Sequence, residues 1–159
     1  MTERILSFVT FASALGAGLI AGVFFAFSSF VMGALARLPA AHGIAAMQSI
    51  NSVVINPVFL GVMFGTGAAC IGLIAAALLR WQAPGSAYLL AAGAVYLAGC
   101  ILVTMVCNVP RNNALDALDP NTADAAAQWS TFVPAWTTWN HVRMAASLAA
   151  SALFILALI

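Results

Sequence analysis

The sequence contains no lysine, and charged residues of any kind are scarce. Only 6% of the 159 residues are charged, against roughly 25% in an ordinary soluble domain. All five basic residues are arginines, and the four acidic residues leave a formal net charge of +1. The scarcity of charge excludes an ordinary water-soluble domain, and the lack of a basic stripe excludes a nucleic-acid-binding protein.

Residues that bind metals or form disulfides are also few. Cys70, Cys100 and Cys107 lie within or near the end of apolar runs and form no framework of the secreted type. We interpret them as small packing residues. The chain has only two histidines, and no pair of ligands has a metal-binding spacing. We therefore expect neither a bound metal nor a haem.

Apolar sequence is abundant, at 64% of the chain. A bilayer core about 30 Å thick needs roughly 20 apolar residues in a helix. Four runs meet that requirement, namely residues 5–35, 53–79, 87–109 and 139–159. Because backbone groups in lipid must be satisfied within the segment, we predict an all-α fold. The prediction is one membrane domain over residues 1–159, a four-helix bundle with a longer loop between the third and fourth spans.

Four spans place both termini on one side of the membrane and the loops after the first and third spans on the other, which we call the mouth. The polar and aromatic side chains that could perform chemistry concentrate at the mouth. The arginines near the two sides are almost balanced in number, with Arg4 and Arg80 facing Arg37 and Arg111. We favour cytoplasmic termini, in a bacterial inner membrane.

The last span carries polar residues just inside the mouth. Counting back about 20 residues from Ile159 places the membrane boundary near Asn140, so Arg143 lies about one turn inside. The residues that share this face at helical spacing are Trp136, Asn140, Arg143, Ser147 and Ser151. His141 is rotated about 100° from Asn140. We expect the shared face to point into the bundle.

The third span repeats this pattern. Its polar stripe consists of Tyr96, Cys100, Thr104, Asn108 and Arg111, at steps of three or four residues. Two such stripes, joined by a loop at the mouth, predict an inward cleft. Asn56 stands just before Pro57, where a kink or helix start is favoured, and its amide is expected to face the same cleft.

Each of these residues also has a structural interpretation. Arg143 is close enough to a helix end to extend to the lipid headgroups, and the three tryptophans near it can form an aromatic belt. Asn112 and Asn113 follow Pro110 and can shape a turn. His42 lies beside a glycine in a loop, which is typical of a solvated histidine. The coincidence of two polar stripes favours the functional interpretation, because unpaired polar groups are costly in a membrane.

Small residues recur at the spacing that lets membrane helices approach closely. They are Ala14, Gly18 and Gly22 in the first span, and Gly61, Gly65 and Ala69 in the second. The sequence leaves two interpretations open, close packing within one bundle or the interface of a homo-oligomer.

The segments "CNVPRNNALDALDP" and "WTTWNHVRMAASLAA" resemble those of a family of small four-span membrane proteins that includes the anthrone oxygenases of polyketide pathways. The early "GLIAGVFFAFSSFVMGAL" and the later "MQSINSVVINPVF" are similar too, so the resemblance covers nearly the whole chain. Its most specific parts are "NVPRNNAL" and "WNHVR".

The resemblance implies oxidation of a methylene between two aromatic rings to a ketone by dioxygen, without flavin or metal. Such a reaction needs a base, donors for a developing oxyanion and flat apolar walls. The catalytic candidates are Asn140, His141, Arg143, Asn108 and Asn112, with His141 or His42 as the base. The candidates for substrate binding are Trp129, Trp136, Trp139, Asn56 and His42.

Two functional hypotheses follow. The first is a cofactor-independent oxygenase of an enolisable, hydrophobic aromatic compound. The second is a non-catalytic membrane protein that binds lipid or quinone, or assembles through its small-residue faces. The expected partners are a hydrophobic small molecule and membrane lipids, with a homo-oligomer as the further alternative.

Overall fold

The computed structural model describes residues 2–159, and over that range the chain is helical without strands. The helices are α1 (Thr2–Ala26), α2 (Met32–Ala36), α3 (Ala40–Val54), α4 (Pro57–Leu79), α5 (Ser86–Tyr96), α6 (Val109–Asp116) and α7 (Ala125–Leu156). Wider π-helical turns at Phe27–Val31, Leu97–Leu102 and Thr104–Asn108 connect α1 to α2 and α5 to α6. The predicted all-α fold is confirmed.

Three continuous helices are long and apolar enough to cross a membrane. They are Glu3–Ala36, Pro57–Leu79 and Ser86–Asp116, and they indicate an integral membrane protein. The last helix, α7, is not among them, since its strongly apolar half begins only after Asn140, His141 and Arg143. The fourth span therefore stays a prediction.

Helix ends differ from the predicted span boundaries at several places. The run at 53–79 is broken at Ile55 and Asn56, and α4 begins only at Pro57. The run that was expected to end at residue 109 continues as α6 to Asp116. The last helix starts well before residue 139, at Ala125. Apolarity marks the stretch that suits lipid, whereas hydrogen bonding continues the helix into the polar region, so the two sets of boundaries need not coincide.

The loop expected after the first span contains helix α3. Its inward face consists of Gly43, Ile44, Met47 and Asn51, which are buried at steps of one, three and four residues. Helical periodicity in this short stretch is hidden at sequence level by the preceding proline and by His42 and Gly43, which are typical of a loop. The mouth is consequently covered by a helix.

Each long helix packs against two others: α1 against α4 and α7, and α5 against α4 and α7. Ser151 of α7 donates a hydrogen bond to the carbonyl of Ala14 at 2.8 Å, and a Cβ atom added to Gly18 would lie 3.2 Å from the same hydroxyl. Of the predicted small-residue faces, the one on α1 thus packs partly inside the protein. Tyr96 donates to the carbonyl of Met63 at 3.1 Å and ties α5 to α4.

Buried apolar side chains form two clusters. One fills the space between the long helices, around Ile20, Leu73, Tyr96 and Phe154. The other lies at the mouth, where α3 and the first half of α7 meet, around Met47, Trp129 and Trp136. On the opposite side an ion pair joins Glu3 to Arg80. The polar residues described next lie between the two clusters.

Candidate functional site

Arg143 is buried in the protein, with 5% of its surface exposed. Its guanidinium carbon lies 4.2 Å from the ring centroid of Phe24 and 5.2 Å from that of Trp136. Its Nη2 donates to Asn140 Oδ1 at 2.7 Å, and its Nη1 lies 3.4 Å from Thr104 Oγ1. The side chain therefore points into the bundle, as helical spacing predicts, and is held between two aromatic faces.

Asn140 is fully buried, and its amide is fixed on both sides. The Nδ2 group donates to the carbonyl of Phe24 and to Ser28 Oγ, each at 2.7 Å, while Oδ1 accepts from Arg143. Ser28 lies in the first π-helical turn, where the widened backbone accommodates this contact. Asn140 thus links α7 to the mouth end of α1 and orients the guanidinium.

The positive charge of Arg143 has no carboxylate partner in the described residues. The ion pair found within residues 2–159 joins Arg80 to Glu3 on the other side of the protein. Within that range, Arg143 Nε also finds no hydrogen-bond partner. A buried charge without a counter-ion is costly in a membrane protein. Such an arrangement favours an anion, or a group on which negative charge develops.

A second set of polar contacts surrounds Trp136. Its Nε1 donates to Asn112 Oδ1 at 2.7 Å, and its carbonyl accepts from Asn108 Nδ2 at 3.2 Å. Asn108 is fully buried at the end of the third π-helical turn. Pro110 lacks the N–H that would complete an ordinary helical bond, which is a reason for the irregular helix just before it. These contacts fix the indole ring beside Arg143.

A cavity of about 280 Å³ adjoins these residues. Its walls are mainly apolar and aromatic, and include Phe24, Phe27, Met47, Phe59 and Trp136. Its polar lining consists of Asn51, Thr104, Asn112, Asn113, Asp116 and Arg143. A larger groove of about 530 Å³ runs between α6 and α7, and Arg143 does not line it. The smaller cavity is the candidate site because a buried cation and aromatic walls converge on it.

The cavity extends to exposed apolar side chains on the outside of the protein. Ile55, Phe64 and Met105 line it and are 71%, 43% and 50% exposed. Large apolar side chains with that exposure are expected in contact with lipid tails in a membrane protein. The cavity therefore has apolar, exposed side chains on one of its sides.

Five of the predicted site residues come together here. Asn140, Arg143 and Trp136 form one connected group, and Asn108 and Asn112 contact Trp136. Of these five, Arg143, Trp136 and Asn112 line the cavity, while Asn108 and Asn140 support them from behind.

The other predicted residues lie elsewhere. His141 and His42 are exposed and do not line the cavity. Trp139 is half-buried outside it, and Trp129 is buried in the mouth cluster, stacked on Phe132. Neither histidine is therefore placed to act as a base in the cavity.

Asn56 has a structural role. Its Oδ1 accepts from the backbone N–H groups of Val58 and Phe59 at 3.1 and 3.0 Å, and it does not line the cavity. The amide was expected to face the cleft, but it caps the start of α4 instead. The helix begins at Pro57, and its first N–H groups have no acceptor within the helix, so the side chain of the preceding residue accepts from them.

Sequence analysis missed several residues of the site. Asp116 and Asn51 line the cavity and are joined by a 2.9 Å hydrogen bond from Asn51 Nδ2 to Asp116 Oδ1. Phe24 of α1 contacts Arg143, and Ser28 of the first π-helical turn contacts Asn140. One signal was available: Asp116 follows Asn112 by four residues and so shares its face in a continued helix.

Comparison with known proteins gives one match. The family model described as "Anthrone oxygenase" matches residues 56–153. No curated protein and no solved structure matches the chain. The matched range includes Thr104, Asn112, Asp116, Trp136 and Arg143, and ends before the last turn of α7.

Proposed function

This chain belongs to the anthrone oxygenase family, and from that premise we propose that it oxidises an enolisable, hydrophobic aromatic compound with dioxygen inside the membrane. The observation that carries the proposal is Arg143, a buried guanidinium without a carboxylate partner in the described residues, at the wall of an apolar cavity.

The chemistry explains why a buried cation is useful. Removing a proton from a methylene between two aromatic rings produces a carbanion, whose charge delocalises onto the carbonyl oxygen across the central ring. That electron-rich anion reacts with dioxygen without a further cofactor. A donor that meets the negative charge as it develops lowers the barrier, and it does so most effectively where water is excluded. Arg143 has the charge and the burial for this role.

The remaining groups support a flat substrate. Phe24, Phe27 and Trp136 provide aromatic surface on the cavity wall. The volume, about 280 Å³, is just under the range of about 300 to 1,000 Å³ for pockets that hold drug-sized ligands. A compact molecule of three fused rings suits both features. Asn140 would act through Arg143 by fixing its orientation.

The proposal is tested by dioxygen uptake of the purified, detergent-solubilised protein supplied with a simple anthrone. We expect uptake above a protein-free control, which corrects for autoxidation. Removing one oxyanion donor typically lowers kcat about 10²- to 10³-fold, so Arg143→Gln should do the same. Arg143→Lys keeps the charge and should retain more activity than Arg143→Gln.

Arg37→Gln is the matched control, because Arg37 is an exposed arginine at the mouth that does not line the cavity. It should take up dioxygen at the rate of the unaltered protein. Uptake at the protein-free rate by the unaltered protein would contradict oxygenase activity on this substrate. Uptake at the rate of the unaltered protein in all three variants would show that the protein is active and that Arg143 has no part in the mechanism.

A second candidate function is supported by a different surface. On α4, Gly61 and Gly65 are exposed, and a Cβ atom on either would meet nothing within 4 Å. They line a groove of about 400 Å³ between α1 and α4, beside exposed Phe8 and Leu15. Open small residues in a membrane helix favour close approach of another helix. Non-catalytic assembly through this face, or lipid or quinone binding there, is the alternative to oxygenase activity.

A further inference from the structure

We propose that Asp116 is the group that accepts the proton from the substrate, an inference that rests on the oxygenase function proposed above. Asp116 lies beyond residue 109, where the third span was expected to end. Its position depends on the continuation of the helix to Asp116.

The positions of the histidines and of the other carboxylates single out Asp116 as the candidate base. Both histidines are exposed outside the cavity. Glu3 is paired with Arg80 on the far side of the protein. Asp119 accepts from Asn121 within its own turn, and Asp124 accepts from Gln128. Within residues 2–159, Asp116 is the carboxylate that lines the cavity.

Asn51 holds the Asp116 carboxylate in place. This asparagine is 5% exposed on α3, and its Nδ2 donates to Asp116 Oδ1 at 2.9 Å. The second oxygen, Oδ2, accepts no side-chain hydrogen bond within residues 2–159 and is free to receive a proton. Asp116 is also exposed. When dioxygen is absent, a proton that it accepts can therefore exchange with water.

Asp116 of α6 and Arg143 of α7 line the same cavity. Arg143 lies beside Trp136, and Trp136 bonds to Asn112, one helical turn before Asp116. In an anthrone the methylene carbon and the carbonyl oxygen lie at opposite positions of the central ring. A base near the methylene carbon would accept its proton, and a cation near the carbonyl oxygen would stabilise the negative charge that develops there.

The proposed reaction begins with proton transfer to Asp116. Asp116 Oδ2 takes one methylene proton, and the C–H electron pair becomes the enolate, whose oxygen faces Arg143. Dioxygen accepts two electrons from the carbanion, one at a time, and forms a carbon–oxygen bond. The resulting peroxide anion recovers the proton from Asp116. Loss of the second methylene proton and cleavage of the O–O bond give the ketone and one molecule of water.

The test isolates proton transfer from oxidation. Under strict exclusion of dioxygen, anthrone is incubated with protein in D₂O, and deuterium incorporation at the methylene is followed by mass spectrometry. We expect the unaltered protein to exceed buffer exchange. Asp116→Asn keeps an oxygen that can accept from Asn51 but cannot take a proton, so its exchange rate should fall about 10²- to 10⁴-fold. Asp116→Glu should recover part of the rate.

Asp119→Asn is the matched control, because this acid lies three residues further along in the loop and outside the cavity. Its exchange should equal that of the unaltered protein. Equal exchange in Asp116→Asn, in a protein that takes up dioxygen, would overturn the assignment of Asp116 and leave the oxygenase function intact. An unaltered protein with neither uptake nor exchange would overturn both.

Discussion

At the scale of single residues, Asn140 illustrates how a group outside the cavity can control one inside it. Its amide has donors directed at α1 and an acceptor directed at Arg143. The guanidinium is thus oriented by a residue whose own position depends on the mouth end of α1. Any change that shifts the first π-helical turn is therefore expected to change the orientation of the Arg143 guanidinium.

Asn140→Ala should lower both stability and activity. The substitution leaves the carbonyl of Phe24 and Arg143 Nη2 without their partner in a buried site. Each unsatisfied buried group costs about 1 to 3 kcal/mol. We expect a lower midpoint in denaturant unfolding and at least a tenfold lower rate of dioxygen uptake. Ser28→Ala removes one acceptor but leaves the contact with Arg143, so its uptake should stay near normal. Equal uptake in both variants would argue against an orienting role for Asn140.

Helical spacing alone was enough to predict part of the site. It placed Trp136, Asn140 and Arg143 on one inward face, because their steps of three and four residues decide the face whatever surrounds them. It also rotated His141 away from that face, in agreement with its exposed position. His141 was suggested as a base for its chemistry and not for its spacing. The partners from other helices, Phe24 and Asn51, depend on tertiary packing that no local pattern contains.

At the scale of helices, the junction between α3 and α4 depends on one side chain. Asn56 accepts from two backbone N–H groups of α4 and donates to the carbonyl of Val53 at 3.0 Å. The apolar run at 53–79 gave no sign of this break, because Val53, Val54 and Ile55 are as apolar as the helix that follows. The Asn-Pro pair was the available signal, and it was interpreted only as a kink or helix start whose amide enters the cleft.

Asn56→Ala should destabilise the protein by about 1 kcal/mol, the usual effect of losing such a cap. Activity per folded molecule should be unchanged, since the side chain does not line the cavity. Asn56→Ser retains a capping oxygen and should recover most of the stability. Unfolding midpoints and dioxygen uptake of the three proteins check this. If Asn56→Ser had normal stability but lost dioxygen uptake, Asn56 would have to be assigned to substrate binding.

At the scale of the whole molecule, the two small-residue faces have different environments. Gly18 on α1 approaches Ser151 inside the protein, whereas Gly61 and Gly65 on α4 face open space. The spacing of small residues predicted that helices approach closely. It could not say whether the approaching helix belongs to the same chain, because that depends on which faces the other helices already cover.

Gly61→Leu and Gly65→Leu should lower the mass of an assembly formed through the groove between α1 and α4, because a leucine side chain fills the space that a second helix would use. Gly72→Leu is the control, since Gly72 is equally open but does not line this groove. Light scattering of the detergent-solubilised proteins measures the mass. An unchanged mass in both groove variants would refute assembly at this face.

The opening formed by Ile55, Phe64 and Met105 has a consequence for enzyme kinetics. A substrate that reaches the cavity sideways is drawn from the lipid phase, so the concentration that governs binding is its mole fraction among lipids or detergent molecules. Adding lipid at constant total substrate dilutes it in that phase. The apparent KM, expressed per volume of water, should then rise in proportion to added lipid, while kcat stays constant.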